Sequence, residues 1–300
     1  MKQVLVIAGP TASGKSDFAV SMAQKLGGEI ISGDSIQVYR GMDIGSGKIR
    51  PEEMGGIPHH LLDIRDIREP YSVSDFQKMA RELIERIDMP VIAGGTGLYL
   101  KACLYDYTFS PEETPAEEES WDGWSNEALY AQLLKEDPVS AEKIHPNNRQ
   151  RVLRALSILR RTGRTKSETE AAQKHEPVYD FYIAGCTMER EVLYERINQR
   201  VEKMFADGLE EEVRTLIRQG YTFTDPGMKG IGYREFEPYL NGSCSLEEVK
   251  AEIQKHSRNY AKRQYTWLNH QMPVHWFVSN DPEDRKRAEA EILAWKEKSL

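Results

Sequence analysis

Gly9-Pro10-Thr11-Ala12-Ser13-Gly14-Lys15-Ser16 fits the pattern G-x-x-x-x-G-K-[ST], and no other stretch limits the fold so tightly. Glycines at these positions let the backbone wrap closely, so that successive N–H groups aim at phosphate oxygens. The helix that follows adds its positive N-terminus. Lys15 would supply a point charge to the outer phosphates, and the Ser16 hydroxyl would join a Mg2+ coordination shell. The bare pattern arises by chance in roughly 1% of chains of this length. Its position makes chance a poor explanation. Val4–Ala8 before it reads as a fully buried strand stopped by Gly-Pro. Ser16–Leu26 after it reads as an amphipathic helix, with Phe18, Ala19, Met22, Ala23 and Leu26 at helical spacing. A diphosphate-binding loop is therefore preferred over a glycine-rich turn. The loop does not say which diphosphate it holds.

The remaining pattern alternates strands and helices. Glu29–Ser32, Met89–Ala93 and Phe181–Cys186 read as further short strands. Ser72 followed by Asp75 reads as a capping box opening a helix through Ile87. Such alternation implies an α/β fold: a P-loop NTPase-like parallel sheet flanked by helices. After Tyr107 the pattern turns helical, with helices expected at Asn126–Lys135 and Asn148–Arg161. Residues 109–177 are expected to form a mostly helical insertion into a core of residues 1–108 and 178–300. Beyond it, helices are expected at Glu189–Phe205, at Leu209–Gln219, and from the Ser245/Glu248 capping box to Leu268.

Composition narrows the class. The 300 residues are 39% hydrophobic and 29% charged, enough for a packed core. The longest apolar runs fall far short of the roughly 20 residues of a membrane span. Met1-Lys2 runs straight into Val4–Ala8 and Gly9-Pro10, unlike a secretory signal. Cys103, Cys186 and Cys244 form no CxxC pair, so neither a disulfide framework nor a zinc site is indicated. These features describe a soluble, cytoplasmic chain, expected to act as a monomer. The net charge of −8 is segregated. Arg149–Lys166 holds seven basic residues and no acid, and Lys255–Arg263 holds four, whereas Glu112–Asp122 carries six acids. A solvated helix face explains any one such run. Two basic runs beside Tyr260, Tyr265 and Trp267 suit a polyanion.

Asp34 follows the second strand directly, at the sheet edge that carries the phosphate loop. Taken alone it could be a general base, a ligand to a metal-bound water, or a cap. The segments around it carry more. The phosphate loop, Gly33–Gly45 (GDSIQVYRGMDIG), His59–Ile64, Gly94–Tyr99, Asn147–Ala155, Gly230–Glu235 and Arg258–Trp267 occur here in one order. In that order they resemble the bacterial tRNA dimethylallyltransferases, also called tRNA isopentenyltransferases, over nearly the whole chain.

That resemblance implies transfer of a dimethylallyl group from dimethylallyl diphosphate to the exocyclic amine of the adenosine 3′ of the anticodon in tRNA. It places the isoprenoid diphosphate in the Gly9–Ser16 loop, with Mg2+. Asp34 matches the family's base, and Thr11 its loop threonine. Ser35, Ile36 and Gln37, with Asp34, match the segment that reads the target adenine, which must be flipped from its stack. Thr96, with Gly94, Gly95 and Gly97, would line the channel. Arg196 and Arg200 stand four apart on one expected helix from which the family supplies an arginine to pyrophosphate; the sequence does not choose between them, and pairing with Glu195 or Glu202 is the other reading. Gln150, Arg151, Val152, Leu153 and Arg154 match a tRNA-contacting segment. His59-His60 is read as structural, because adjacent strand residues face opposite ways. Tyr260 and Trp267 are read as core.

The chain departs from the family in three places. Ser46-Gly47-Lys48 stands where Thr-Ala-Lys is usual, and the Arg86–Asp88 connection is short. Pro111–Asn126 is short and acidic where an arginine-bearing helix is typical. Two rival functions follow from the same loop: a small nucleotide kinase using ATP, and a non-catalytic RNA-binding protein with a vestigial loop.

Overall fold

The computed structural model describes residues 1–109 and 121–298. Most of Pro111–Asn126, the acidic segment, lies outside the described residues. The chain forms two compact units, one of residues 1–105 with the chain from 177 onward, the other of Asp106–Glu176.

In the first unit, β1 (Gln3–Ala8) enters the phosphate loop and α1 (Lys15–Leu26) leaves it. Next come β2 (Glu29–Ser32), β3 (His59–His60), α2 (Val73–Arg86), β4 (Pro90–Gly94) and α3 (Gly97–Leu104). The second unit contains α4 (Asn126–Glu136), α5 (Pro138–Lys143), α6 (Arg149–Thr162) and α7 (Lys166–Ala171). The first unit then resumes with β5 (Asp180–Thr187), α8 (Arg190–Ala206), α9 (Leu209–Arg218), α10 (Glu237–Leu240), α11 (Leu246–Gln271), β6 (His275–Val278) and α12 (Pro282–Glu297).

All six strands are parallel, in the order β3-β2-β4-β1-β5-β6. Strand β1 is central, with Val6 paired to Ile92 on one side and to Ile183 on the other. Its alternating side chains feed two cores. Val4 and Val6 pack with Phe76 and Leu100 from α2 and α3. Leu5 and Ile7 pack with Phe18 and Met22 from α1 and with Ile292 from α12. Each such side chain, fully buried, contributes about 1.5–3 kcal/mol. A strand buried on both faces must be apolar throughout, as Val4–Ala8 is.

A third core joins α8, α9 and α11 to the loop after β2, through Val201, Val213, Val249, Val38 and Met42. This packing carries α8 and α11 to the carboxyl edge of the sheet, where the phosphate loop lies. In the second unit Leu129, Leu133, Val152 and Leu156 form a separate small core.

Strand β6 and helices α3, α5, α7, α10 and α12 are not expected from the sequence. Strand β3, which holds the His59-His60 pair read as strand residues, is two residues long, and β6 mixes exposed and buried positions. In α12 the buried residues are Ala288 and Ile292, too thin an apolar stripe to read as a helix. Cys103, Cys186 and Cys244 are free thiols. No helix among the described residues is long and apolar enough to cross a membrane.

Candidate active site

The phosphate loop owes its shape to unusual backbone angles. Gly9, Ala12 and Gly14 adopt φ of 151°, 64° and 81°. A Cβ at Gly9 would stand 2.7 Å from the Cys186 carbonyl oxygen, so only glycine fits beside β5. Helix α1 opens at Gly14 with no side-chain cap, whereas α2 is closed by the reciprocal Ser72/Asp75 box. The first-turn N–H groups of α1 thus remain available for an anion.

The loop borders a cavity of about 350 Å3 lined by Thr11, Lys15, Ser16, Asp34, Ser35, Ile36, Gln37 and Arg200. Lys15 and Arg200 face the Asp34 carboxylate there, and Arg234 and Arg263 line the same cavity. Burial and the neighbouring Arg200 lower the Lys15 ammonium to about 8, against the opposing pull of Asp34. Burial likewise lowers Arg200, which remains charged at any physiological pH. Such a cavity favours a ligand carrying more than one negative charge.

Asp34 is held by its own turn. Its Oδ1 accepts hydrogen bonds from the backbone N–H groups of Ile36 at 2.8 Å and Gln37 at 3.2 Å. No helix begins here, so Asp34 closes a turn and not a helix, and the same carboxylate lines the cavity. Gln37 donates from Nε2 to the Gly47 carbonyl at 3.3 Å, and its Oε1 accepts from the Ser32 hydroxyl at 3.4 Å. The amide plane is fixed by partners on both ends.

Arg196 and Arg200 separate cleanly. Arg200 donates from Nη1 to the Thr11 hydroxyl at 2.7 Å and from Nη2 to the Ser46 carbonyl at 3.4 Å. Arg196 is exposed and does not line the cavity. One helical step of four residues brings the two near each other along α8. Packing of the Leu193–Ile197–Val201 stripe turns only Arg200 inward.

Other expectations need revision. Gly94 lines the cavity, but Thr96 does not. Gly95 and Gly97 serve packing: a Cβ would stand 2.2 Å from Gln264 Nε2 at Gly95, and 1.9 Å from the Trp267 ring at Gly97. Tyr260, read as core, lines the cavity instead, and burial raises its phenol. Arg263 lies 5.6 Å from the Tyr260 ring centre and also faces the cavity. His59 lines the cavity, with Nδ1 2.8 Å from the Ile57 carbonyl oxygen, while His60 pairs with Glu29 at 2.6 Å. In the second unit Val152 is fully buried and Leu153 packs on the same core. Only Gln150, Arg151 and Arg154 of that segment face outward.

Several residues were missed. Gln264 accepts the Thr11 backbone N–H at 3.0 Å through Oε1 and so ties α11 to the phosphate loop. Tyr260, Arg263 and Gln264 recur at three- and four-residue spacing, the first two within the basic run Lys255–Arg263. That spacing is the signal for one shared helix face. Arg234, also on the cavity wall, had no such periodicity to mark it.

The donor set suits a hard divalent ion. Ser16 offers a hydroxyl and Asp34 a carboxylate at the same cavity. No cluster of three or more His, Cys, Asp or Glu side chains that could hold a metal occurs among the described residues. An ion bound through one hydroxyl, substrate phosphate oxygens and water fits these residues, as Mg2+ commonly is; a zinc site does not.

A family model described as "IPP transferase" matches residues 37–271. The chain belongs to that family. It is 47% identical to a tRNA dimethylallyltransferase of Geobacillus thermodenitrificans, over 94% of this chain and 92% of that protein. With the tRNA dimethylallyltransferase of Anoxybacillus flavithermus it shares 48%, covering 97% and 95% of the two chains. Among solved structures, the full-length tRNA isopentenylpyrophosphate transferase of Bacillus halodurans superposes with a TM-score of 0.76 at 40% identity, covering 100% of this chain and 98% of that one. A eukaryotic dimethylallyltransferase described as acting on tRNA gives 0.83 at 30% identity, covering 98% and 78%. The kinase alternative finds no support in these matches. The family's enzymes are prenyltransferases, and this chain keeps their α/β fold with its parallel sheet.

Proposed function

We propose that this chain transfers a dimethylallyl group from dimethylallyl diphosphate to the exocyclic amine of the adenosine 3′-adjacent to the anticodon of tRNA, releasing diphosphate. One observation carries the reading within this family: Lys15, Arg200 and Asp34 face one cavity behind a phosphate loop. In the balanced step, the amine lone pair forms a bond to the allylic carbon. The carbon–oxygen bond breaks, and its electron pair leaves with the diphosphate. The amine proton passes to Asp34.

Each residue has a part that follows from its chemistry. Lys15, Arg200 and the α1 N-terminus neutralise the charge that develops on the leaving diphosphate. Thr11 turns its hydroxyl toward Arg200 and so orients the guanidinium. Ile197, Val201 and Met204 from α8 and Ile253 from α11 give the cavity an apolar wall suited to the isoprenoid. Gln37, with its amide fixed at both ends, and Ser35 suit the donor–acceptor edge of adenine. Ser16 and the diphosphate oxygens would hold Mg2+, which when bound adds positive charge to the leaving group. On α6 the outward Gln150, Arg151 and Arg154 would contact tRNA phosphates. This reading places the chain in the cytoplasm, and no helix among the described residues is long and apolar enough to cross a membrane.

The test combines purified protein, Mg2+, unmodified tRNA and labelled dimethylallyl diphosphate, with ATP in a parallel reaction. Label at the adenosine beside the anticodon is the expected result. ATP turnover without label transfer would overturn the proposal, and so would tRNA binding with no transfer.

A further inference from the structure

Three consecutive backbone N–H groups in the loop after β2 point at one carboxylate from a distant helix, and the fourth points at a tyrosine hydroxyl bonded to it. Glu212 of α9 accepts from Asp43 at 3.0 Å and Ile44 at 2.7 Å through Oε2, and from Gly45 at 3.0 Å through Oε1. The Tyr233 hydroxyl donates to the same Oε1 at 2.7 Å and accepts the fourth N–H, from Ser46, at 3.1 Å. A run of converging N–H groups is an anion-binding concavity. Here the protein fills it from within.

The packing around this contact is equally specific. Tyr233 is fully buried. A Cβ at Gly45 would stand 2.5 Å from the Tyr233 ring, and one at Gly232, where φ is +99°, would stand 2.9 Å from the Gly45 carbonyl oxygen. Gly45 borders the cavity, whereas Gly232 does not. Both let the Tyr233 ring and the loop backbone approach each other.

What the loop does next gives the contact its meaning. The Ser46 carbonyl accepts from Arg200, and the Gly47 carbonyl accepts from Gln37. At Gly47, a Cβ would fall 1.8 Å from Arg200 Nη2, so the backbone lies directly against the guanidinium. The same five-residue loop therefore orients the cation that faces the diphosphate and the amide that faces the base.

We propose that Glu212 and Tyr233 are a positioning pair: by binding the N–H groups of residues 43–46 they set the carbonyls that aim Arg200 and Gln37 into the cavity. Neither residue lines the cavity, so both act through the loop. The consequence for catalysis rests on the prenyl-transfer reading; the consequence for anion binding does not.

Two substitutions test the pair at nearly constant volume. Glu212→Gln puts an amide donor where N–H donors must be accepted, and Tyr233→Phe removes only the hydroxyl. A hydrogen bond to a charged group contributes about 1.5–3 kcal/mol, so its loss corresponds to about tenfold or more. Glu212→Gln is expected to weaken inorganic pyrophosphate binding by about tenfold and to raise KM for dimethylallyl diphosphate and for tRNA, measured well below its Tm. Tyr233→Phe should do the same more weakly. The double variant should fall short of the product of the two effects, because the residues share one oxygen. Glu212→Asp, which keeps the charge, should recover part of the loss. Glu211→Gln, one residue away and paired with Arg218, is the control expected to leave all constants unchanged. A lowered Tm with unchanged pyrophosphate affinity and unchanged KM values would overturn the pair as a positioning device and leave it a structural contact. If the wild-type protein transfers no prenyl group, the functional reading fails, and the pyrophosphate measurements still decide the pair.

Discussion

Arg200 and Thr11 meet across a hydrogen bond of 2.7 Å, which joins α8 to the phosphate loop. The guanidinium thereby faces the cavity before any anion arrives, with Asp34 near enough to offset part of its burial. A charge held in place in advance does not have to reorganise when the leaving diphosphate gains charge. The arrangement makes distinct demands on each residue, and these can be measured.

Asp34→Asn separates proton acceptance from turn formation. The amide oxygen can still accept from the Ile36 and Gln37 N–H groups, so the turn survives. The basic carboxylate is lost. General-base catalysis contributes about 10²–10⁴-fold, and kcat is expected to fall by that order while tRNA affinity changes little. Turnover near the wild-type level in a single-turnover assay would exclude Asp34 as the proton acceptor.

Arg200→Gln should raise KM for dimethylallyl diphosphate and lower kcat, together by about 10²–10³ in kcat/KM. Arg196→Gln should change neither, since that side chain is exposed. Steady-state kinetics of the two variants side by side is the measurement. Equal effects would contradict the division of roles along α8.

Lys15 makes anion binding depend on pH. Its ammonium, lowered to about 8 by burial, loses its proton as pH rises through that value in the free protein. Affinity for inorganic pyrophosphate without metal should fall about tenfold per unit above pH 8, and a Lys15→Met variant should lose this dependence. Stability moves in the opposite direction. The folded-state value lies below that of the unfolded chain, so from about 8 upward the unfolded state binds more protons. Lys15 therefore opposes folding most at low pH, and that opposition is relieved as pH rises through about 8. Calorimetric titration gives the first result, and denaturant melts at several pH values give the second.

Gly97→Ala should destabilise the first unit. The added methyl would stand 1.9 Å from the Trp267 ring, so α3 and α11 must separate. Overpacking of this kind costs about 1–3 kcal/mol, read as a lower midpoint in urea. Trp267→Leu in the same chain should restore part of it.

Arg151→Gln and Arg154→Gln test the basic face of α6. Each should weaken tRNA binding across tRNA sequences and reduce the slope of log affinity against log salt by somewhat under one unit. A flat salt response of the wild-type protein between low and moderate salt would remove this face from the tRNA contact.

The sequence by itself determined the local geometry. Gly9, Gly14 and Lys15 were legible because loop shape and chemistry depend on neighbours in the chain. So were the buried strand before them and the helix after them. Asp34 was placed correctly because it follows a strand whose end must lie beside the loop. The tertiary structure decided what distant segments contribute. Arg196 and Arg200 have the same spacing and the same chemistry. Only the packing of α8 shows that Arg200 turns inward, with its hydroxyl partner 189 residues away in sequence. Tyr260 belongs to the cavity wall, although its helical spacing from Trp267 looked like core. Glu212 carried no signal at all, because a glutamate near the start of a helix is ordinary. Its role exists only once α9 packs beside residues 43–45 and those backbone N–H groups require an acceptor. Periodicity and motif spacing report what a residue's neighbours in the chain impose. Which side chains share a cavity is set by how the packed elements meet, and that information is non-local.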